Sequence, residues 1–448
     1  MKKYKAVRCA LAVLISCLFC MTTSYADVGS DDAGMEKLVK QLEKQVASLQ
    51  KEIQTLSAAK PAVPKDIEDD IKSLQRDFSS MKADQAKATK MPSVPAAAGA
   101  VPSWLEGTNF GGDIRVRFQS NQRSNDAAAD QNYGRMRLRY GISKQVNDEL
   151  YAKFRLASGG AGWRAYYHSM GSTTSGFNKM AINVDQAYLK YTPNWLENTA
   201  IYAGKFPINW KDKGILIHSE GCGVEGLGES FTYQVTDGIK GDLNLAQLVM
   251  TEGTVGGDDS QMFVFDSGIS GSYEAVTWGL RGTAYIFNGL NSQLGSTNAL
   301  ANTNATTGNP RTIVATGDVG FDVCDIPVAT FVQGGLNVNA RDENALAEDQ
   351  NRYYALGVGI NKLKKPGDVS FNYKFMYLQG NVMPGFLPDA DLVARNAAGG
   401  NQMHQFELSY RLFDSTDLNL SVLAPRTLDA ADNDTEEMRF KLQATTSF

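Results

Sequence analysis

The final segment of the chain alternates without a break. Phe440, Leu442, Ala444, Thr446 and Phe448 fall on one face of an extended strand, and Arg439, Lys441, Gln443 and Thr445 on the other. Successive side chains of a strand point to opposite sides, so this segment has one oily surface and one charged surface. The same rhythm recurs upstream in Ile114, Val116, Phe118; Met136, Leu138, Tyr140, Ile142; Leu150, Ala152, Phe154, Leu156; Val369, Phe371, Tyr373, Phe375, Tyr377; and Phe406, Leu408, Tyr410, Leu412. Past the N-terminus no stretch reaches the roughly 18 to 20 uninterrupted apolar residues of a spanning helix. Hydrocarbon supplies no partners for backbone N–H and C=O groups, so a membrane-embedded chain without spanning helices has to close into a barrel. Strands buried in a soluble sandwich alternate in a similar way. Their opposite faces, however, would not carry this much Arg and Lys beside so much Gly.

The amino terminus fixes the compartment. Lys2, Lys3, Lys5 and Arg8 precede an apolar run from Ala10 to Met21, and Ser24-Tyr25-Ala26 supplies the small residues of a cleavage site. Residues 1–26 therefore read as a signal peptide. A lipoprotein reading through Leu14-Ile15-Ser16-Cys17 has a short apolar stretch before its cysteine. In 27–83, Val39, Leu42, Val46, Leu49, Ile53 and Leu56 recur at spacings of three and four, the a and d positions of a heptad. Ile67, Ile71, Leu74, Phe78 and Met81 continue the pattern beyond Pro61 and Pro64. The expectation is a periplasmic coiled coil, with an amphipathic helical hairpin as the alternative. Residues 84–107 turn to Ala, Pro, Lys and Gly, the composition of an extended linker.

From 108 to 448 the pattern predicts an all-β architecture, a 16-stranded antiparallel transmembrane barrel. Its connections are asymmetric. After even strands they are short, as at 147–148, 193–198, 236–237, 271–272, 323–326, 364–367 and 414–416. After odd strands they are mostly long, as at 159–180, 207–224, 289–311 and 381–402, and rich in Gly, Asn, Ser and Thr. Short inner turns, long outer loops and an even strand count with both ends inside characterise bacterial outer-membrane barrels. The expected surroundings are outer-membrane lipid for 108–448 and the periplasm for what precedes it.

Composition narrows function further. A net charge of -5 gives no support for nucleic-acid binding. Of five cysteines, Cys9, Cys17 and Cys20 leave with the signal peptide. Cys222 falls in an outer loop and Cys324 in an inner turn, too far apart for a disulfide. The three histidines, His168, His218 and His404, have neither metal-ligand spacing nor a neighbouring nucleophile, apart from a weak pairing of His404 with Ser409. The acidic groups Asp258-Asp259 and Asp429, Asp432, Asp434 read as solubilising loop charges rather than calcium ligands. No catalytic residue, cofactor or metal is expected.

Sixteen strands enclose an aqueous bore, so the candidate site is its lining. The inward set of the first four strands and the last contains Arg115, Arg117, Arg135, Arg137, Arg139, Lys153, Arg155, Lys190, Arg439 and Lys441. Because the last strand pairs with the first, these form one basic wall. Asp318 and Asp322 face it from the opposite side, and the third outer loop adds Asp212, Glu220 and, at its far end, Glu225. Such an arrangement would set a transverse field that sorts ions and orients dipolar solutes. In the plainer reading many of these arginines only solvate the lumen and pair with nearby carboxylates.

The segment Ala203-Gly204-Lys205-Phe206-Pro207-Ile208-Asn209-Trp210, followed by Glu225-Gly226-Leu227, resembles the putative porin family of Gram-negative outer membranes, where a strand ends and a glycine-acid pair opens the next. The terminal Phe448 likewise resembles the signal read by the barrel-assembly machinery, although Thr446 departs from the usual aromatic. The resemblance implies passive diffusion of small hydrophilic solutes through a homotrimer. The third outer loop matches that of the general porins by order, and there it sets the constriction. The basic wall suggests anion preference, and the coiled coil suggests contact with peptidoglycan. The alternative is a plugged barrel that serves as an anchor or adhesin, with partner-binding outer loops.

Overall fold

The computed structural model describes residues 105–123, 130–160, 167–171, 179–211, 213, 216–217, 223–251, 259–290, 309–339, 351–384, 387–388, 400–428 and 437–448. The signal peptide, the coiled coil and the linker up to residue 104 lie outside the described residues. Gly107–Phe448 forms one structural unit.

Sixteen long strands in this unit form a single ring: β1 (Thr108–Arg123), β2 (Gln131–Gln145), β3 (Leu150–Ser158), β5 (Ile182–Tyr191), β6 (Thr199–Pro207), β7 (Gly223–Thr236), β8 (Ile239–Thr251), β9 (Ser260–Tyr273), β10 (Val276–Asn288), β11 (Arg311–Val323), β12 (Ile326–Asn337), β13 (Arg352–Ile360), β14 (Val369–Gln379), β15 (Gly400–Phe413), β16 (Thr416–Thr427) and β17 (Glu437–Ser447). A seventeenth, β4 (His168–Ser169), is a two-residue piece that pairs with the outer part of β2 at Arg135 and Met136. Each long strand runs antiparallel to the next, and β17 pairs with β1 from Asp113↔Ser447 to Arg123↔Glu437. Among the described residues each long strand has a paired neighbour on both sides, which is what hydrocarbon demands. Phe448 completes the seam, donating to the Gly112 carbonyl at 3.1 Å and accepting from the Gly112 amide at 2.9 Å.

The alternation read from sequence sets the two faces. Ile114, Val116 and Phe118 are exposed on the outside, as are Leu408, Leu420 and Leu442, while Arg117, Gln119, Asn121, Arg137, Arg439 and Lys441 are buried on the inside. The inner turns are tight. Cys324 and Asp325 both take positive φ (53° and 64°) between the paired Val323 and Ile326, the geometry of a two-residue hairpin turn. The β7–β8 turn falls one residue later than expected, at 237–238, and the β9–β10 turn shifts further. The β9–β10 reversal is not at 271–272 but after Tyr273, which pairs with Val276 while Glu274 takes φ 50°. Moving the turn out by this amount keeps Ile269, Leu280 and Trp278 on the common outer face.

At the outer end the bore is not open space. Phe206, Leu248, Met262, Val264, Tyr285, Phe287 and Val314 from β6 to β11 point inward and are buried in one cluster with Trp210, Leu216 and Ile217 of the third outer loop. Tyr353, Met376, Leu378 and Met403 of β13 to β15 join the same cluster with Val382, Met383 and Leu387 from the connection after β14. Two outer loops thus fold back into the barrel. Their apolar side chains meet apolar inward positions that would otherwise face water, and each such side chain gains about 1.5–3 kcal/mol from burial.

Candidate functional site: the lining of the bore

The seam strands bring the basic residues together as their parity requires. Arg115 and Arg117 of β1 stand directly opposite Arg137 and Arg135 of β2, and Asp113 stands opposite Arg139. Asp113 is the carboxylate that holds this group. Its Oδ1 accepts from Arg137 Nη2 at 2.8 Å and its Oδ2 from Arg139 Nε at 2.6 Å. Arg137 has a side chain only 1% exposed, so the pair is buried, and losing Asp113 would remove the carboxylate that both arginines share. On β17, Thr445 accepts from Arg115 Nε and Gln443 from Arg117 Nε, each at 3.1 Å. Arg439 pairs with Glu437 at 2.6 Å, and Lys441 is buried beside them. Arg135 lies over the Tyr133 ring at 4.5 Å, and Lys190 over the Tyr202 ring at 5.9 Å.

Arg155 finds a carboxylate that simple alternation would have turned away. The β3–β5 register slips between Arg155 and Leu156, which pair with Gln186 and Val184, so Asp185 is the extra residue of a bulge. The bulge swings Asp185 inward, and its Oδ2 meets Arg155 Nη2 at 2.5 Å. Lys153 shares this face, opposite Tyr188. All ten basic side chains expected in the wall lie on the inner face, with Asp113, Asp185 and Glu437 among them.

Eight strands around the ring lies the opposite wall. Asp318 and Asp322 are on the inner face of β11, in register with Phe331 and Pro327 of β12. Three residues not singled out from sequence dominate here: Asp242 on β8, Asp266 on β9 and Arg281 on β10. Arg281 Nη2 reaches Asp242 Oδ2 at 2.7 Å and Arg281 Nη1 reaches Asp266 Oδ2 at 2.5 Å. The Asp266 side chain is fully buried and also accepts from Thr283 Oγ1 at 2.7 Å and Asn244 Nδ2 at 2.9 Å.

The third outer loop is fixed to this wall by cations. Lys211 Nζ pairs with Asp242 at 2.7 Å and Lys213 Nζ with Asp318 at 3.0 Å. Asn209 Nδ2 donates to the backbone carbonyls of Glu229 and Leu245 at 3.0 and 3.1 Å. Trp210 packs edge-on against Tyr285 with centroids 6.5 Å apart. Inward folding thus agrees with the expectation by loop order, but the charge expected of it does not transfer. Asp212 and Glu220 lie outside the described residues. Glu225 is not in the loop or the bore: it is on β7, facing outward, with its side chain 60% exposed and bonded to Lys205 Nζ at 2.6 Å. Its neighbour Val224 takes the inward position in the apolar cluster, and period-2 geometry forces Glu225 to the other side. At this point Gly204 and Gly226 pair with each other at φ 112° and 146°, conformations that only glycine adopts without strain.

The histidine nearest a nucleophile gains nothing from the fold. His404 points outward, where Tyr373 Oη lies 2.9 Å from its Nδ1, whereas Ser409 is on the inner face beside Asn419. The two are on opposite sides of β15.

A closed ring with an apolar exterior, a charged bore and in-folded outer loops defines an outer-membrane β-barrel of the porin type. The family described as "Putative porin" matches residues 122–256. That span holds the glycine-acid segment on which the resemblance rested. Among solved structures, the high-pH form of OprB from Pseudomonas putida superposes with a TM-score of 0.51 at 9% identity, covering 78% of this chain and 97% of that one. The outer membrane channel DcaP of Acinetobacter baumannii gives 0.47 at 14% identity, covering 76% and 97%. OmpF of Salmonella typhi gives 0.44 at 11%, again covering 76% and 97%. The identity with OprB is low, so that likeness speaks to the fold. A search of curated proteins returns no match.

Proposed function

We propose that the chain is an outer-membrane porin through which small hydrophilic solutes and ions diffuse passively along the basic wall. The observation that carries this reading is the charge of the bore. Ten inward Arg and Lys side chains line β1, β2, β3, β5 and β17, whereas the acidic residues of those strands are Asp113, Asp185 and Glu437. A barrel needing only stability has no use for such an excess, because like charges directly opposite each other on neighbouring strands are destabilising. Excess positive charge in a narrow low-dielectric passage favours anions. Export by the signal peptide and a homotrimeric assembly with the N-terminal segment in the periplasm complete the reading.

Purified protein in planar bilayers tests it. Steady ohmic steps, with a reversal potential on the anion side in a salt gradient, are the expected result, together with swelling of liposomes in small sugars. The anchor or adhesin reading draws on the apolar cluster of two in-folded loops at the outer end of the bore. It requires a nearly silent barrel, so an absence of conductance would replace the porin reading with that one.

A further inference from the structure

The guanidinium groups of Arg115 and Arg117 converge on one oxygen atom. Arg115 Nη1 and Arg117 Nη2 each donate to Tyr167 Oη at 2.8 Å. The Arg117 guanidinium also lies 4.4 Å from the centroid of the Tyr167 ring, and that of Arg137 lies 5.8 Å from it. Tyr167 belongs to no barrel strand. It reaches the bore from the connection after β3, and β4 holds it there: Ser169 and His168 pair with Arg135 and Met136, and the Met170 amide donates to the Gly134 carbonyl at 2.8 Å. A two-residue strand outside the ring therefore has a consequence inside it.

Two charged donors from different arginines, both 2.8 Å from one oxygen, is the arrangement that a carboxylate or phosphate oxygen receives. A phenol supplies the oxygen without the charge. The surroundings favour a charged occupant. The registers Arg115↔Arg137 and Arg117↔Arg135 set like charges face to face, and Thr445 and Gln443 of β17 accept from the Nε of Arg115 and Arg117. These acceptors hold the two Nε–H groups and so orient both forks toward the same point.

We propose that Arg115 and Arg117 form an oxyanion-binding site in the wall of the bore, occupied in the empty channel by the Tyr167 hydroxyl as a built-in surrogate that an incoming carboxylate or phosphate group displaces. The proposal deepens the porin reading, and it depends on that reading only for the route by which the anion arrives. Displacement exchanges two hydrogen bonds from the guanidiniums to a neutral phenol for two to an anion. The tyrosine therefore weakens anion binding enough for the ligand to leave, as conduction requires of any site in a pore.

Calorimetric titration of the full chain in detergent at low ionic strength, with inorganic phosphate and with acetate, tests the site whether or not the barrel conducts. Tyr167→Phe keeps the ring and removes the competing oxygen. It is expected to bind whichever anion the site prefers about tenfold more tightly than the parent. Arg115→Gln/Arg117→Gln is expected to abolish saturable binding. The response to the two probes then separates a tetrahedral from a planar ligand. Equal affinity of the parent and Tyr167→Phe within about twofold, or unchanged binding in the double glutamine variant, overturns the proposal. So does a parent and a Tyr167→Phe variant that bind neither anion. The ratio of Tyr167→Phe to parent needs no arginine variant to fold. A silent barrel that still titrates sinks the porin reading and leaves the site standing, whereas a conducting barrel that does not titrate sinks the site alone.

Discussion

The cluster Asp242, Asp266, Arg281 and Lys211 decides whether the wall opposite the seam is packed dry beneath the third outer loop or bathed by the lumen. The Arg281 side chain is 11% exposed, Asp242 7% and Asp266 0%, with contacts of 2.5 to 2.7 Å. Removing one partner of a buried pair costs about 3–5 kcal/mol, because the other charge is left stranded, while replacing both with apolar groups is close to neutral. Asp266→Leu should fall at the low end of that range, since Arg281 keeps both oxygens of Asp242 at 2.7 and 2.8 Å. Arg281→Met should fall at the high end, since it leaves two carboxylates to share Lys211. The double variant recovers only part of the loss, because Asp242 keeps Lys211 but has lost Arg281; about 5–6 kcal/mol in place of an additive sum of about 8 leaves a coupling of about 2–3 kcal/mol.

The measurement is urea unfolding of the barrel in lipid vesicles, followed by tryptophan fluorescence, for the four members of the cycle. Arg411–Asp417 provides the internal control. It also faces the bore and is as short, 2.6 Å, but its side chains are 20% and 36% exposed. A pair so open to solvent should couple by no more than about 1 kcal/mol. If the two cycles give the same small value, water reaches Asp266 as freely as it reaches Asp417, and the wall is not dry.

Replacing Arg115, Arg117, Arg137 and Arg139 together with Gln should move the reversal potential in a potassium chloride gradient toward cation preference; an unchanged potential would place the narrowest point away from the seam. Trp210→Ala removes an aromatic anchor that is 4% exposed, worth about 3–5 kcal/mol to the loop's seat, and should let larger sugars pass in liposome swelling; an unaltered size limit would mean the loop keeps its seat without Trp210. In the inner turn between β13 and β14, the Lys364 and Lys365 amides each donate to Asp368 at 2.8 Å and hold its carboxyl below the usual carboxylate range. A depressed folded-state value gives stabilisation that is present above the ordinary carboxylate pKa and lost as pH falls through the lowered one. The protection of the turn's amides, taken relative to their intrinsic exchange rates, should therefore fall on acidification in the parent and not in Asp368→Asn.

How far the sequence is legible depends on what alternation can and cannot encode. Period 2 is a property of the strand itself, so the outer faces, the basic wall and the inward positions of Asp318 and Asp322 are readable without coordinates. A bulge breaks the period by one residue, and nothing in Ala181 to Thr192 marks Asp185 as the break. Glu225 misleads for a related reason. It comes closely enough after the third outer loop to be grouped with it, yet the strand has already begun at Gly223 and parity has turned it outward. Asp242, Asp266 and Arg281 sit one to a strand among Gly, Ser and Leu, and become a cluster only when three strands are laid side by side. The loops did carry a signal. Trp210, Leu216 and Ile217, and again Val382, Met383 and Leu387, are too apolar for connections facing water, and their insertion into the bore is the consequence.

The two halves of the lining explain each other. The outer ends of β6 to β15 carry inward Phe, Leu, Met, Val and Tyr, residues that would be costly in an aqueous channel and stabilise the barrel only once loops cover them. The seam strands β1, β2, β3, β5 and β17 carry Arg, Lys, Gln and Asn at the same inward positions, and among the described residues the apolar cluster draws no member from β1, β2 or β17. On the proposed reading, the route for a solute is therefore set by elimination. Loops occupy the side of the bore that is apolar, which leaves the solute the seam side, where Arg115, Arg135 and Arg139 are partly exposed. Selectivity then belongs to the loops as much as to the barrel, because their packing presses every passing ion against one wall. A barrel with the same arginines but a polar lining throughout would leave its loops outside, and its field would act across a wide, well-screened lumen where charge sorts ions weakly.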